Sequence, residues 1–79
     1  MRLDKYLKVS RIIKRRTVAA QACDGGRVSV NGRAAKPSYD VKIGDVLQIS
    51  FGNNTFNAKV TNLSEHVRKE DAGEMYEVL

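Results

Sequence analysis

The chain has 79 residues, 42% of them hydrophobic, a single cysteine and a formal net charge of +5. This length allows one small domain and excludes a deep substrate cavity, because a core of this size contributes only about 3–5 kcal/mol of net stability. The single cysteine excludes an internal disulfide framework and fits a reducing cytosol, and no apolar run is long enough for a membrane span or a signal-peptide core.

The positive charge is concentrated in the first sixteen residues. This segment contains seven cations and one acid, Asp4, whereas residues 17–79 contain seven cations and eight acids. The seven cations are Arg2, Lys5, Lys8, Arg11, Lys14, Arg15 and Arg16. A one-sided positive charge is typical of a surface that binds a polyanion, most often nucleic acid. A disordered basic tail is the simpler interpretation, but apolar residues at helical spacing in the same segment argue against it.

A first helix is predicted over residues 3–9. Its apolar residues recur at the spacing of a single helix face, and its cations lie roughly on the opposite face. The apolar residues are Leu3, Tyr6 and Leu7, and the cations are Arg2, Lys5 and Lys8. We therefore expect one face to pack on a core while the other is free to meet phosphates.

A second helix is predicted over residues 15–24, after a short basic connection. Ala19, Ala22 and Cys23 give this helix a small-residue face that allows close packing on another element. The pair Gly25-Gly26 ends the helix, since glycine adopts the left-handed conformation at little cost.

Two cations, Arg15 and Arg16, lie at the start of this second helix. Cations at that end oppose the helix dipole and cost some helix stability. Free backbone N–H groups at the same end favour an anion. The combination indicates that these arginines meet phosphate.

The rest of the chain is predicted to be mainly β structure. A first strand carries Val28 and Val30 and leads into a tight turn at Asn31-Gly32. Two longer runs alternate apolar and polar residues around a turn at 52–54 and form a hairpin with one buried face. Their apolar residues are Leu47, Ile49 and Phe51, then Phe56, Ala58 and Val60. A final strand is predicted over residues 75–79, and residues 64–74 fit either a short helix or a loop.

The sequence offers no convincing catalytic or metal-binding group. His66 is the single histidine and lies in a charged segment, and Cys23 is at a core position of the second helix, where small thiols are common. The two cannot form a structural zinc site, which needs four ligands. Asp71 and Glu74 are expected to be solvated loop charges. We therefore expect a protein that is not an enzyme and that needs no cofactor and no metal.

Few aromatic residues are available for stacking on bases. Tyr6 and Tyr39 are the candidates, and for Tyr6 a place in the core is the favoured alternative. With little stacking capacity and many cations, the expected target is a folded, double-helical RNA that is recognised through its backbone shape.

Four segments in order, RLDKYL, RRTVAAQAC, GGRVSVNG and AAKPSYDVKIGDVLQI, resemble the RNA-binding domain named after ribosomal protein S4. The elements and the resemblance agree on an α+β fold, in which two N-terminal helices (the alpha-L motif) pack on a small, curved, mainly antiparallel sheet. We expect one domain over residues 1–79, with the core motif over 2–49 and a C-terminal β extension over 50–79. As a free-standing domain with this extension, the chain is similar to the heat-shock protein fifteen family, in particular to its members in bacterial ribosome-associated quality control.

The resemblance implies a factor that binds large-subunit rRNA and peptidyl-tRNA on large ribosomal subunits left after a stalled ribosome has split. Such a factor is expected to be cytoplasmic, ribosome-associated and monomeric, with no membrane contact. It is expected to hold the tRNA in place and to act beside the alanine-tailing factor RqcH.

The resemblance also assigns roles to individual residues. Arg2 and Arg16 match RNA-contacting arginines of the family, and Lys36 matches a lysine that can reach a phosphate. Asp4 matches the family's acidic residue, and we expect it to orient Arg16 or Arg2 through a charge-assisted hydrogen bond. The turn at Asn31-Gly32 is expected to be structural first. The predicted RNA-binding set is Arg2, Asp4, Lys5, Lys8, Arg11, Lys14, Arg15, Arg16 and Lys36.

Two other functions remain compatible with the sequence. The chain could be the RNA-targeting part of an rRNA-modifying or tRNA-charging enzyme, which a reading frame continuing far past Leu79 would favour. It could also be a protein–protein adaptor whose charged face binds an acidic partner, and a complex of that kind would survive nuclease treatment.

Overall fold

The computed structural model describes residues 1–79. Its elements are α1 (Leu3–Val9), α2 (Arg16–Asp24), β1 (Val28–Val30), β2 (Arg33–Ala34), β3 (Val46–Phe51), β4 (Asn54–Val60), a 3-10 helix (Lys69–Met75) and β5 (Tyr76–Val78). The predicted bounds of the first helix are confirmed. The second helix begins one residue later than predicted, with Arg15 as its N-cap residue.

The five strands form one sheet in the order β2-β1-β3-β4-β5, and every neighbouring pair is antiparallel. With the two helices packed against its buried residues, this sheet confirms the predicted α+β fold. The turn between β1 and β2 is the predicted one. Asn31 and Gly32 both adopt positive φ angles, 52° and 85°, as a two-residue hairpin turn requires. None of the helices has the length and apolar character needed to cross a membrane.

The hairpin of β3 and β4 pairs Leu47 with Ala58 and Ile49 with Phe56. Leu47, Ile49 and Ala58 are fully buried, so the predicted apolar face exists. Phe51 departs from the alternation, since 46% of it is exposed. It is the last β3 residue before the turn and is paired with Asn54.

Tyr6 lies at the centre of the core. It is fully buried, and its hydroxyl donates a hydrogen bond of 2.6 Å to the carbonyl oxygen of Met75. The favoured of its two predicted roles, packing rather than base stacking, is confirmed. The hydrogen bond also connects α1 to the far end of the chain.

The segment that the sequence left undecided contains both a loop and a short helix. Residues 64–68 are irregular, and a 3-10 helix follows over Lys69–Met75. Met75 ends this helix and β5 covers Tyr76–Val78, so the predicted final strand over 75–79 is one residue too long at each end. The Met75 side chain is fully buried, and its carbonyl accepts hydrogen bonds from the backbone amides of Thr61 and Asn62.

The start of α1 is tied to the loop before β3. The amide of Leu3 donates to the carbonyl of Tyr39, and the amide of Val41 donates to the carbonyl of Met1. The backbones of Arg2 and Asp40 are thereby paired in an isolated antiparallel β-bridge. These bonds fix the N-terminal end of α1 against this loop and therefore fix the position of its first charged residues.

Candidate nucleic-acid interface

The carboxylate of Asp4 joins α1 to α2 and holds an arginine from each side. Its Oδ1 lies 3.2 Å from Nε of Arg2, and its Oδ2 accepts from Nη2 of the same arginine at 3.3 Å. Nε of Arg16, in the first turn of α2, lies 3.5 Å from Oδ2. The Asp4 side chain is only 6% exposed, whereas those of Arg2 and Arg16 are 54% and 48% exposed. We expected Asp4 to orient Arg16 or Arg2, and it contacts both.

The environment of Asp4 keeps the carboxylate charged. Burial raises its pKa, but the hydrogen bonds from Arg2 and from the backbone amide of Lys5, together with the charge of Arg16, outweigh that effect. The net result is a pKa below the ordinary value of an aspartate. An ionised, buried acid is therefore available to hold both guanidinium groups at neutral pH.

Each arginine keeps donors for a ligand. A guanidinium has five N–H donors in a planar fork. Arg16 faces Asp4 with its Nε, so both of its terminal nitrogens remain available beyond that contact. Because about half of each arginine side chain is exposed, these free N–H groups can donate to phosphate oxygens, for which a rigid fork is well suited.

A second group of cations lies along the end of α1 and the connection to α2. Lys8, Arg11, Lys14 and Arg15 are all exposed, and none forms an ion pair within the chain. Their charge is therefore not neutralised internally. The connection is anchored beneath them by Ile13, which is buried and belongs to the core cluster.

Lys5 and Lys36 lie in different surroundings from the other cations. Lys5 is half-buried, and its Nζ forms a 3.0 Å ion pair with Glu65 of the loop before the 3-10 helix. Lys36 is exposed on the loop after β2, beside Arg33 and Tyr39, and the carbonyl of the next residue, Pro37, accepts a hydrogen bond from the amide of Asp4 at the start of α1. The structure thus places seven of the predicted cations on the helices and their connection, and it places Lys36 on the loop that is bonded to the start of α1.

Asp45 organises the loop that carries Lys36, and the sequence did not point to it. Its carboxylate accepts hydrogen bonds from the Asn31 side chain at 3.0 Å, the Tyr39 hydroxyl at 2.9 Å and the amide of Lys42 at 2.9 Å. Asn31 also accepts from the amide of Val46, which confirms its structural role. An acid directly after the turn glycine Gly44 was the available signal, since such an acid often bonds to nearby backbone N–H groups.

A compact helix pair with a buried acid between two exposed arginines, followed by a small antiparallel sheet, defines a protein of the S4-domain class. Residues 1–47 match the S4 domain family. The match covers both helices and the strands up to the start of β3, which is the part that holds the Asp4 cluster, formed by Asp4, Arg2 and Arg16.

Relatives over the whole chain give the particular family. The RQC P-site tRNA stabilizing factor of Streptococcus pneumoniae is 56% identical over 79 residues, which are 100% of this chain and 90% of the relative. The factor of the same name from Bacillus subtilis is 52% identical over 79 residues, covering 100% of this chain and 92% of that one. A trimeric structure of heat shock protein 15 from Vibrio cholerae superposes with a TM-score of 0.93 at 32% identity, covering 100% of this chain and 81% of that one. The chain belongs to the family of RQC P-site tRNA stabilizing factors, and it is also similar to heat shock protein 15 in sequence and fold.

Proposed function

We propose that this protein is a non-enzymatic RNA-binding factor of ribosome-associated quality control that stabilises tRNA in the P site of the large ribosomal subunit. The observation that carries the proposal is the Asp4 cluster, in which one buried carboxylate holds Arg2 and Arg16 while leaving their outer N–H groups exposed. The names of the full-length relatives support the same role.

The interface is suited to the RNA backbone. Arginine forks donate two parallel hydrogen bonds to phosphate and lose little freedom when they are already held in place. The unpaired cations Lys8, Arg11 and Lys14 add an electrostatic attraction that releases counterions from RNA. Together they favour a folded RNA surface with closely spaced phosphates.

Recognition by base stacking contributes little in this proposal. Tyr6 is fully buried, and the hydroxyl of Tyr39 is bonded to Asp45, which fixes that ring against its own loop. Base-stacking proteins instead present several exposed aromatic rings. Contacts to phosphate and ribose on a structured rRNA or tRNA are therefore the expected mode.

The proposal extends to the binding partners, the oligomeric state and the location of the protein. We infer that the protein contacts both large-subunit rRNA and the peptidyl-tRNA, acts with RqcH during alanine tailing, and works in the cytoplasm as a monomer without a membrane. Sedimentation of the free protein at micromolar concentration tests the monomer. Recovery of RqcH on the same subunits, before and after nuclease treatment, tests the partner and separates an RNA-bridged complex from a protein adaptor.

The central test is recovery of large subunits carrying tRNA on tagged protein. Arg2→Ala and Arg16→Ala should each reduce recovery, and the salt dependence of binding should flatten by about 0.7–0.9 log units per log of salt for each phosphate that is no longer neutralised. Lys59→Ala is the matched control, since Lys59 is an exposed cation on β4 that forms no ion pair. Equal recovery by the two arginine variants and the control would contradict the proposal.

A further inference from the structure

We propose that a cleft between the end of α1 and the loop before the 3-10 helix is a second phosphate-binding site, so that the C-terminal extension forms part of the RNA interface. This inference rests on the proposed RNA-binding function and adds a site to it. The cleft has a volume of about 440 Å³. Its cationic and imidazole-bearing residues are Lys8, Arg11, Lys14, His66 and Arg68.

The two walls of this cleft come from distant parts of the chain. Lys8, Arg11 and Lys14 form the near wall, and His66 and Arg68 form the far wall. Most of the lining is polar, and its two apolar residues, Val9 and Val67, are half-buried and pack against the core. Such a lining suits an anion with several oxygens rather than an apolar ligand.

The far wall is held in position from both sides. Glu65, the one acid in the lining, forms a 3.0 Å ion pair with Lys5, which ties the loop to α1 and offsets the negative charge. Nε of Arg68 donates to Asp71 at 2.9 Å, and Glu70 lies 3.7 Å away. Both contacts use Nε, so the two terminal nitrogens of Arg68 remain free to donate to an oxygen in the cleft.

The backbone at Arg11 is an independent sign of function. Arg11 has a φ angle of 63°, in the left-handed region that disfavours residues with a Cβ atom. Glycine or asparagine would take this conformation at lower cost. An arginine held there, exposed and without an ion pair, indicates that its side chain serves a purpose other than stability.

The far wall is tested with a pair of neighbouring substitutions. Arg68→Gln removes a cation from the cleft and keeps a donor for Asp71, whereas Lys69→Gln removes a cation one residue further on that does not line the cleft. Arg68→Gln should weaken binding to tRNA-carrying large subunits about three- to tenfold and lower the salt slope by about 0.7–0.9, while Lys69→Gln should stay within about twofold of wild type. His66→Gln should also weaken binding.

The near wall is tested at the strained position. Arg11→Gly removes the charge and relieves the left-handed strain, so its melting temperature should equal or exceed that of wild type while its RNA binding falls about three- to tenfold. A loss of binding together with a lower melting temperature would instead assign Arg11 a structural role and overturn its place in the site.

The outcomes separate this inference from the function it rests on. If wild type recovers large subunits with tRNA but Arg68→Gln binds as tightly as Lys69→Gln, only the cleft assignment fails. If wild type does not bind them at all, the proposed function fails and the cleft falls with it. Inorganic phosphate, titrated in the absence of RNA, gives the remaining comparison, because saturable amide shifts at residues 65–68 at micromolar phosphate would assign the cleft to a free anion and overturn the RNA assignment.

Discussion

The carboxylate of Asp4 and the guanidinium of Arg16 link the two helices across 3.5 Å, between Oδ2 and Nε. Asp4 is almost wholly buried and Arg16 is half exposed, so the acid acts as a fixed support for a charge presented to solvent. Arg2 is held by the same carboxylate. The orientation of the two arginines that we propose as RNA contacts thus depends on one residue that RNA does not need to touch.

Asp4→Asn should weaken RNA binding even though it makes the protein more positive. The substitution removes the charge-assisted hydrogen bonds from Arg2 and the ion pair with Arg16, releases both side chains, and should cost about 1–3 kcal/mol of stability because the site is buried. Binding to tRNA-carrying large subunits and urea unfolding measure the two effects. Glu77→Gln is the control for net charge, since Glu77 is an exposed acid on β5 that forms no ion pair. Tighter binding by Asp4→Asn, as expected from net charge alone, would show that orientation does not matter.

Asp45 should make part of the protein's folding stability depend on pH in the acidic range. Burial raises its pKa, but bonds from the Lys42 amide, Asn31 and Tyr39 outweigh this, so the folded-state pKa lies below the ordinary value. A depressed pKa stabilises the folded state above the unfolded value of about 3.9, and this contribution is lost as the pH falls through the folded pKa. Urea midpoints between pH 6 and pH 2.5 should therefore fall more steeply for wild type than for Asp45→Asn. Parallel curves for the two proteins would contradict this.

Tyr6→Phe should lower the free energy of unfolding only slightly, and Tyr6→Ala should lower it much more. Removing the hydroxyl deletes one buried hydrogen bond, worth about 0.5–1.5 kcal/mol, while the Met75 carbonyl keeps its bonds from Thr61 and Asn62. Removing the ring leaves a cavity and should cost about 3–5 kcal/mol. Denaturant midpoints measure both, and Tyr6→Phe should keep wild-type RNA affinity. A large drop in RNA affinity for Tyr6→Phe at full stability would mean that the hydroxyl reaches RNA after all.

Cys23 should be unreactive in the folded protein. Burial raises its pKa to about 11, with smaller contributions from the negative charges of Asp4 and Asp24. Since the thiolate is the reactive form, alkylation by iodoacetamide at pH 8 should be slow and should rise with the unfolded fraction in urea. Rapid alkylation without denaturant would show that α2 opens locally from the core.

Sequence patterns predicted the elements that depend on local signals. The bounds of α1 follow from the spacing of Leu3, Tyr6 and Leu7, and the tight turn after β1 follows from Asn31-Gly32, because periodicity and turn chemistry act over a few residues. The end of α2 at Asp24, ahead of two glycines, was equally clear. These are the features for which the chain's own propensities agree with the fold.

The remaining features depend on contacts between distant residues. Nothing near Lys5 indicates that Glu65 will neutralise it, and nothing near Met75 indicates that its carbonyl will accept the Tyr6 hydroxyl. The exposure of Phe51 is a related case, since alternation predicts which face of the strand a residue lies on but not how completely distant parts of the chain cover it. Arg11 shows a further limit, because a left-handed arginine has no sequence signal comparable to glycine.

The bond between Tyr6 and Met75 joins residues 69 positions apart. The packing of α1 in the core therefore lacks this bond until nearly all of the chain has been synthesised and has left the ribosome. Folding is complete only after that point. A copy truncated before Met75 would lack the carbonyl that accepts the Tyr6 hydroxyl, and this buried donor would be left without its partner. In the proposed role, a protein that acts on interrupted synthesis would thus itself need complete synthesis in order to fold fully.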